Sequence, residues 1–341
     1  MSSSNRIQQT AKGIYYGEAT FNQEKSDLQL GQYIPLHYHY AMLLDEHRMS
    51  SFQQAIQQVV RPGARVLELG GGTGVLSFFA AQQGASVDYV EYLPEMCEAA
   101  NDFFLRNGVH PQVTIHNTDA RTFLPDEPVD VVICEMLHSA VLSEKQLEII
   151  HLFKEAYARK FGSLPVFIPE ATLLGVQPTQ HDFVFEGFYA PVPIFQLPSA
   201  IQPRTLPLAD PVVYLAIMYD EPFSQKIQWN GTLKANKSGV CNAIRFITKN
   251  ILTISVEEQT TVEWSNQHMV LPLSQALFVE EGDQFKIAFS YKAGDPIQAL
   301  SKSLKVTWDK ETTTLPISAN QNQKATSSQK PKENIDRKRA A

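Results

Sequence analysis

Residues 66–74 read Val-Leu-Glu-Leu-Gly-Gly-Gly-Thr-Gly, an apolar run ending in glycines 70, 72 and 74, with Glu68 two residues ahead of the first. A strand that must turn at once into a helix needs positive φ, and a backbone lying close to a ligand leaves no room for Cβ. Both demands select glycine. The run predicts a strand-to-helix turn in an α/β domain, with a nucleotide-type cofactor held there. A nicotinamide fingerprint would need its third glycine at position 75, which is Val75. No Gly-Lys-Ser or Gly-Lys-Thr ending follows, so nothing supports an ATPase loop.

The surrounding pattern fits that domain. A helical stretch over about 36–60 stops at Arg61-Pro62-Gly63. Strands expected at 64–69, 86–90, 113–116 and 129–134 then alternate with helices at 75–83 and 94–106. Short, mostly apolar strands of this kind build a parallel sheet covered on both faces. Ser143-x-x-Gln146 reads as a capping box opening a helix with Leu147, Ile150, Phe153, Tyr157 and Phe161 on one stripe.

After Phe167-Ile168-Pro169 the texture changes to short β runs, such as 212–218 and the alternation Phe285, Ile287, Phe289, Tyr291. This half reads as an all-β barrel or sandwich. The stretch 183–210, rich in proline and aromatics and without periodicity, fits an inserted arm or a long loop. Beyond Pro316 large apolar residues almost vanish, and such a segment cannot offset the entropy of ordering. The expected organisation is a flexible start at 1–27, a Rossmann-like α/β domain at 28–168, a β-barrel-like domain at 169–315 and a disordered basic tail at 316–341.

Composition narrows the function classes. With 341 residues and 43% hydrophobic content, the chain can bury a sizeable core. Cys97, Cys134 and Cys241 are too few and too scattered for a disulfide framework or a zinc site, so no metal is expected. No run of eighteen apolar residues occurs and residues 1–10 are polar, so the expected setting is cytoplasmic, without a membrane partner. The net charge is −7; from Asn320 onward six Lys or Arg face two acids, leaving −11 on the remainder. An acidic body argues against a nucleic-acid partner and is compatible with a cationic substrate.

Four acids follow the sheet. Glu91 ends the second strand, where an acid can accept both ribose hydroxyls of a nucleoside; alone it also fits a surface acid. Asp119-Ala120, after the third strand, fits adenine contacts or a solvated turn. Glu135 ends the fourth strand at the carboxyl edge of the sheet, and Glu144 lies nine residues on. By itself Glu144 also fits a first-turn acid beside a helix cap.

Acid-x-Gly-x-Gly-x-Gly is the pattern of class I S-adenosylmethionine methyltransferases, and the chain resembles one branch of them. The segment 135–144 resembles the double-glutamate loop of the protein arginine N-methyltransferases. Tyr33 and His39-x-x-Met42-Leu43-x-Asp45-x-x-Arg48 are similar to that family's cofactor-lidding helix. Residues 167–173 are similar to its passage into a β-barrel, and Val262-Glu263-Trp264 falls on its Thr-His-Trp. The resemblance runs in order from Tyr33 to about Asp309, most densely in the cofactor half.

The resemblance implies S-adenosyl-L-methionine as cofactor, held by Tyr33, His39, Met42, Arg48, Glu68, Gly70, Gly72, Gly74, Glu91, Asp119 and Ala120, with Arg48 on its methionine carboxylate. It implies a substrate site of Glu135, Glu144 and Trp264, with His138 as a base, and a homodimer formed through an arm. Paired carboxylates suit a guanidinium, which is planar, permanently charged and fork-shaped. The expected partner is an arginine-containing protein or a small guanidino compound. Position 263 is glutamate where the family has histidine, and the usual Trp-Met-Gly of the loop is Met136-Leu137-His138. Those departures keep two alternatives open: free arginine or another small amine as acceptor, and a cofactor-binding module without turnover.

Overall fold

The computed structural model describes residues 34–198 and 201–308. Tyr33, the start at 1–27 and the tail at 316–341 lie outside the described residues. The expected first helix forms as two, α1 (Leu36–Leu44) and α2 (Glu46–Val59). Asp45 separates them: its φ of −72° and ψ of 88° leave the helical region, and its carboxylate accepts a 2.9 Å bond from the Arg48 N–H. That cap satisfies an orphan donor of α2 and fixes where its first turn begins. α1 buries none of its residues, whereas α2 buries Phe52, Ala55 and Ile56.

The α/β half continues as β1 (Arg65–Leu69), α3 (Val75–Gln82), β2 (Ser86–Glu91), α4 (Pro94–Arg106), β3 (Val113–Asn117), β4 (Val131–Cys134), α5 (Gln146–Phe161) and β5 (Val166–Ile168). All five strands are parallel, in the order β3-β2-β1-β4-β5. The central strands are mostly apolar because both faces are covered. Phe52, Ile56, Phe79, Tyr89 and Phe104 pack in one core, while Leu67, Val132, Ile150 and Phe153 pack in the other. The strand order reverses between β1 and β4, and open α/β sheets gather ligands at the carboxyl edge beside such a switch point.

The second half contains β6 (Ala171–His181), β7 (Val184–Phe185), β8 (Phe188–Tyr189), β9 (Ile194–Gln196), β10 (Thr205–Pro207), β11 (Val212–Met218), β12 (Lys226–Lys234), β13 (Gly239–Ser255), β14 (Thr260–Ser265), β15 (His268–Val279), β16 (Gln284–Lys292), α6 (Ile297–Ser303) and β17 (Lys305–Trp308). A curled antiparallel sheet runs β10-β6-β13-β15-β9, with β11 also on β6 and β14 on β13. A second sheet runs β12-β16-β17. The predicted alternation on β16 is met, with Phe285, Ile287, Phe289 and Tyr291 all buried. Their core also contains Leu67, Val132 and Phe153 of the α/β half, so the two halves share one continuous interior.

Among the described residues of the stretch 183–210, four short strands form. β7 and β8 form a hairpin, β9 pairs with β15 and β10 pairs with β6, folding the insert back along the barrel. The physical reason is apolar: Phe183, Tyr189 and Ile194 cover Ala243 and Val270 on the sheet.

Candidate active site

The backbone turn after β1 builds the floor of the site. Gly70, Gly72 and Gly74 have φ of 72°, 53° and 76°. A Cβ on Gly72 would stand 2.8 Å from Cε1 of His39, and one on Gly70 would stand 2.8 Å from the sulfur of Met136. Side chains there would strain the backbone and strike their neighbours. Tyr89 supports the turn from β2, its hydroxyl donating to the Gly72 carbonyl at 2.5 Å.

A cavity of about 610 Å³ opens above this turn, between the carboxyl edge of the sheet, α1 with the start of α2, the loop after β4 and residues around Trp264. His39, Met42, Arg48, Glu68, Gly70, Gly72, Glu91 and Ala120 border it, as do Glu135, His138, Glu144 and Trp264. Two of the predicted residues do not. The Asp119 carboxylate is occupied by Arg121, which approaches at 2.9 Å and also reaches Glu148 at 3.6 Å. Gly74 is at the N-terminus of α3, pressed against the ring of Phe104 rather than the cavity.

The acids divide by environment. Glu91 accepts from the Gly72 N–H at 3.1 Å and from the Leu93 N–H at 2.9 Å, which fixes its carboxylate at the rim with further lone pairs to offer. Glu68 is buried and accepts from the Ser77 N–H at 2.9 Å and from the Ser77 hydroxyl, tying β1 to α3 beneath the turn. Burial raises its carboxyl to about 7 despite those bonds. Burial, then the neighbouring charge of Glu135, raises Glu144 to about 8. The pair therefore favours a cation, since a positive group would relieve both the burial and the mutual repulsion.

Glu135 is held from both sides by a residue read as part of a helix cap. α5 begins at Gln146 behind Lys145, without a side-chain cap, and the Gln146 side chain turns inward instead. Its amide donates to the Cys134 carbonyl at 2.7 Å and accepts from the Met136 N–H at 2.9 Å. The bracketed residue between them is Glu135. Asn266 adds a 2.7 Å bond to the Leu137 carbonyl. Desolvation lowers the pKa of the half-buried His138 and so favours its neutral ring. Its Nδ1 lies 3.2 Å from the Ser139 carbonyl, an acceptor only, so Nδ1 carries the proton and Nε2 is left as a base. Its ring packs edge-on to Phe195 of β9 at 5.4 Å.

Arg48 borders the cavity as expected, but its partner there is an acid of the protein. Its guanidinium is ion-paired with Glu135, the two side chains being only 10% and 12% exposed. It also lies 5.6 Å from the ring centre of Phe52 and 5.9 Å from that of Trp264. Glu263 points elsewhere, forming a 2.5 Å ion pair with Lys249 of β13. The later His268 does not border the cavity; burial and Arg245 lower it to about 4.

The donor set fits a nucleoside with an amino-acid tail. It offers glycine backbone with no room for Cβ, a rim carboxylate for hydroxyls, and a guanidinium for a carboxylate. Beside it, Glu135 and Glu144 bring two acids together, a pair whose charge suits a cation.

Comparison with known proteins agrees with this architecture. A family model described as a methyltransferase domain matches residues 66–158. An uncharacterised protein of Methanocaldococcus jannaschii is 27% identical over 273 residues, covering 78% of this chain and 96% of its own length. Protein arginine N-methyltransferase 6 of Xenopus laevis is 26% identical over 148 residues, 43% of each chain. An arginine N(omega)-methyltransferase of Streptomyces achromogenes is 28% identical over 142 residues, covering 40% of this chain and 38% of its own. Among solved structures, the Trypanosoma brucei PRMT1 enzyme–prozyme heterotetrameric complex with AdoHcy superposes with a TM-score of 0.65 at 18% identity, covering 82% of this chain and 96% of that one. Arabidopsis thaliana protein arginine methyltransferase 10 gives 0.64 at 16%, covering 75% and 87%. Residues 66–158 thus match a methyltransferase domain, and the chain is similar in sequence and fold to the protein arginine methyltransferases.

Proposed function

We propose that this protein transfers a methyl group from S-adenosyl-L-methionine to a guanidinium nitrogen, with arginine side chains of proteins as acceptors. One observation carries the reading: the site already holds a guanidinium, that of Arg48, on Glu135 and beside the rings of Phe52 and Trp264, with the half-buried Glu144 as the second acid. Groups that hold one guanidinium in this way suit another.

In this reading Glu91 holds the ribose, the glycine turn seats the amino-acid portion, and Arg48 takes its carboxylate. The cofactor supplies a methyl group on a sulfonium, open to in-line attack by nitrogen. Glu135 and Glu144 fix the direction of the acceptor and bias its charge away from the attacking nitrogen, so most of the acceleration is positioning and electrostatics. Methylation of a guanidinium releases one proton, and in this reading Nε2 of His138, left without the ring proton by the Nδ1 contact with Ser139, takes it.

A second reading keeps the chemistry and changes the acceptor to free arginine or another slender guanidino compound. It is favoured by the insert, whose Phe195, Leu197 and Pro198 border the cavity near His138 and narrow the approach. Exposed Phe188 and Leu197 of the insert, and exposed Tyr40 and Leu44 of α1, are the surfaces a homodimer would cover. Methyl transfer from labelled cofactor to arginine-rich peptides and to free arginine, with products identified by mass spectrometry, tests the assignment. Methylarginine in peptide supports the protein substrate; transfer to free arginine alone would replace it with the second reading.

A further inference from the structure

Glu135 and Glu144 are placed by different means. Glu135 follows β4 directly, and Gln146 bonds the peptide groups on both sides of it. The Glu144 carboxylate has no hydrogen-bond donor among the described residues, so the backbone leading to it decides where it stands. That backbone is strained. Ala140, Val141 and Ser143 have φ of 57°, 50° and 61°, three of the five non-glycine residues with positive φ among those described. Left-handed backbone is unfavourable for a residue with a Cβ, and most of all for β-branched valine, so it persists only where neighbours hold it.

The neighbours belong to the β half. The Ala140 N–H donates to the Thr248 hydroxyl of β13 at 2.7 Å, and the Tyr291 hydroxyl of β16 donates to the Ala140 carbonyl at 3.0 Å. Further on, the Gly294 N–H donates to the Val141 carbonyl and the Ser143 N–H to the Asp295 carbonyl, both at 2.9 Å. Tyr291 is backed in turn by Tyr214 of β11, hydroxyl to hydroxyl at 2.8 Å. The Ala140 carbonyl can only accept, so Tyr291 spends its proton there and Tyr214 donates to Tyr291. Burial raises both phenols, and the order holds through neutral pH. We propose that Tyr291 is a positioning residue for the acid pair: by holding the Ala140 peptide from the barrel, it keeps residues 140–143 in their left-handed course and so fixes Glu144 beside Glu135. Its functional consequence rests on the two-acid reading given above. One acid of the acceptor clamp is set by the parallel sheet and the other by the barrel, so the clamp is complete only when the two halves are docked. Tyr291→Phe keeps the ring against Phe289 but leaves the Ala140 carbonyl buried without its donor. The loop then relaxes and carries Glu144 toward water.

The test compares the urea stability of Glu144→Gln with that of its parent in two backgrounds, wild type and Tyr291→Phe, on the full chain from pH 5 to 9. Glu144 titrates at about 8 in the folded protein against 4.5 when unfolded, so in wild type the gain from Glu144→Gln grows up to about pH 8. In the Tyr291→Phe background the carboxyl is better solvated, and the gain should level off at least about one pH unit lower. Glu135 and Arg48 act on Glu144 by charge, Cys134, His138 and Lys145 are near it, and Asp295 is bonded to its loop; all are present in both backgrounds. The same pH course in both, with only a constant offset in stability, would make Tyr291 merely structural and overturn the proposal. Thr248→Val, which withdraws the acceptor from the same peptide, serves with the same two outcomes where Tyr291→Phe does not fold. In turnover, Tyr291→Phe should lower kcat for a guanidino acceptor about tenfold or more, with S-adenosylhomocysteine affinity kept within about twofold. An unchanged kcat would contradict the proposal. The stability comparison needs neither cofactor nor acceptor, so a protein that forms no methylarginine would sink the functional reading while the pH course still decides what places Glu144.

Discussion

Replacing Glu144 by glutamine should make the protein more stable, increasingly so as the pH rises. Desolvation and the neighbouring Glu135 raise this half-buried carboxyl to about 8 in the folded chain, against an ordinary value of 4.5 once unfolding exposes it. Between those values the native state holds a proton that the unfolded chain has lost. The unfolded state binds fewer protons, so stability falls with pH, by about 1.4 kcal/mol for each pH unit. Across the whole interval the fall is roughly 5 kcal/mol, complete above pH 8 and absent below about 4.5. Glutamine keeps the shape of the side chain and cannot ionise. The difference between Glu144→Gln and wild type should be near zero at pH 5 and grow through neutrality. Other groups in the same range, Glu68 at about 7 among them, cancel in that difference because both proteins carry them. The shared core of the two halves allows unfolding as one unit, so urea denaturation followed by tryptophan emission at pH 5, 6, 7, 8 and 9 is a suitable assay. A difference that stays flat from pH 5 to 9 would refute the desolvated-acid argument.

Three further outcomes follow from the same geometry. A protonated Glu144 holds a cation poorly, so kcat/KM for a guanidino acceptor should rise with pH toward about 8; a profile that falls over that range would contradict its role. Gly72→Ala should abolish cofactor binding in calorimetry and lower stability by about 1–2 kcal/mol, because φ is 53° and the new methyl meets His39. Glu263→Gln should leave turnover unchanged and shift stability by less than about 1 kcal/mol, since it breaks only the half-exposed pair with Lys249 outside the cavity; loss of turnover would restore a catalytic role to that position.

Much of the α/β half was legible because its signals are local. Strand, glycine turn and helix succeed each other within residues 66–82, and the acids at 91 and 135 follow directly from where strands end. What the sequence hid depends on partners distant along the chain. Ser143-x-x-Gln146 has the spacing of a cap, yet Ser143 adopts φ of 61° and Gln146 spends its amide on the two peptide groups around Glu135. A glutamine at the start of a helix looks alike in both roles until the fold places β4 beside it. Asp119 looked free to reach a ligand because Arg121, two residues on, gives no sign of curling back over it. The split at Asp45 was missed because the apolar pattern of α1 and α2 runs on without a proline or glycine between them. The insert at 183–210 has no periodicity because its short strands are each paired with the barrel rather than with one another, β7 and β8 excepted.

The most direct test of the account is methyl transfer by wild type and by Glu144→Gln to arginine-rich peptides and free arginine, with S-adenosylhomocysteine affinity measured on the same samples. Methylarginine is expected from the wild type, with a loss of on the order of a hundredfold or more in the variant and the ligand still bound. Methylarginine formed equally well by both proteins would contradict the two-acid clamp.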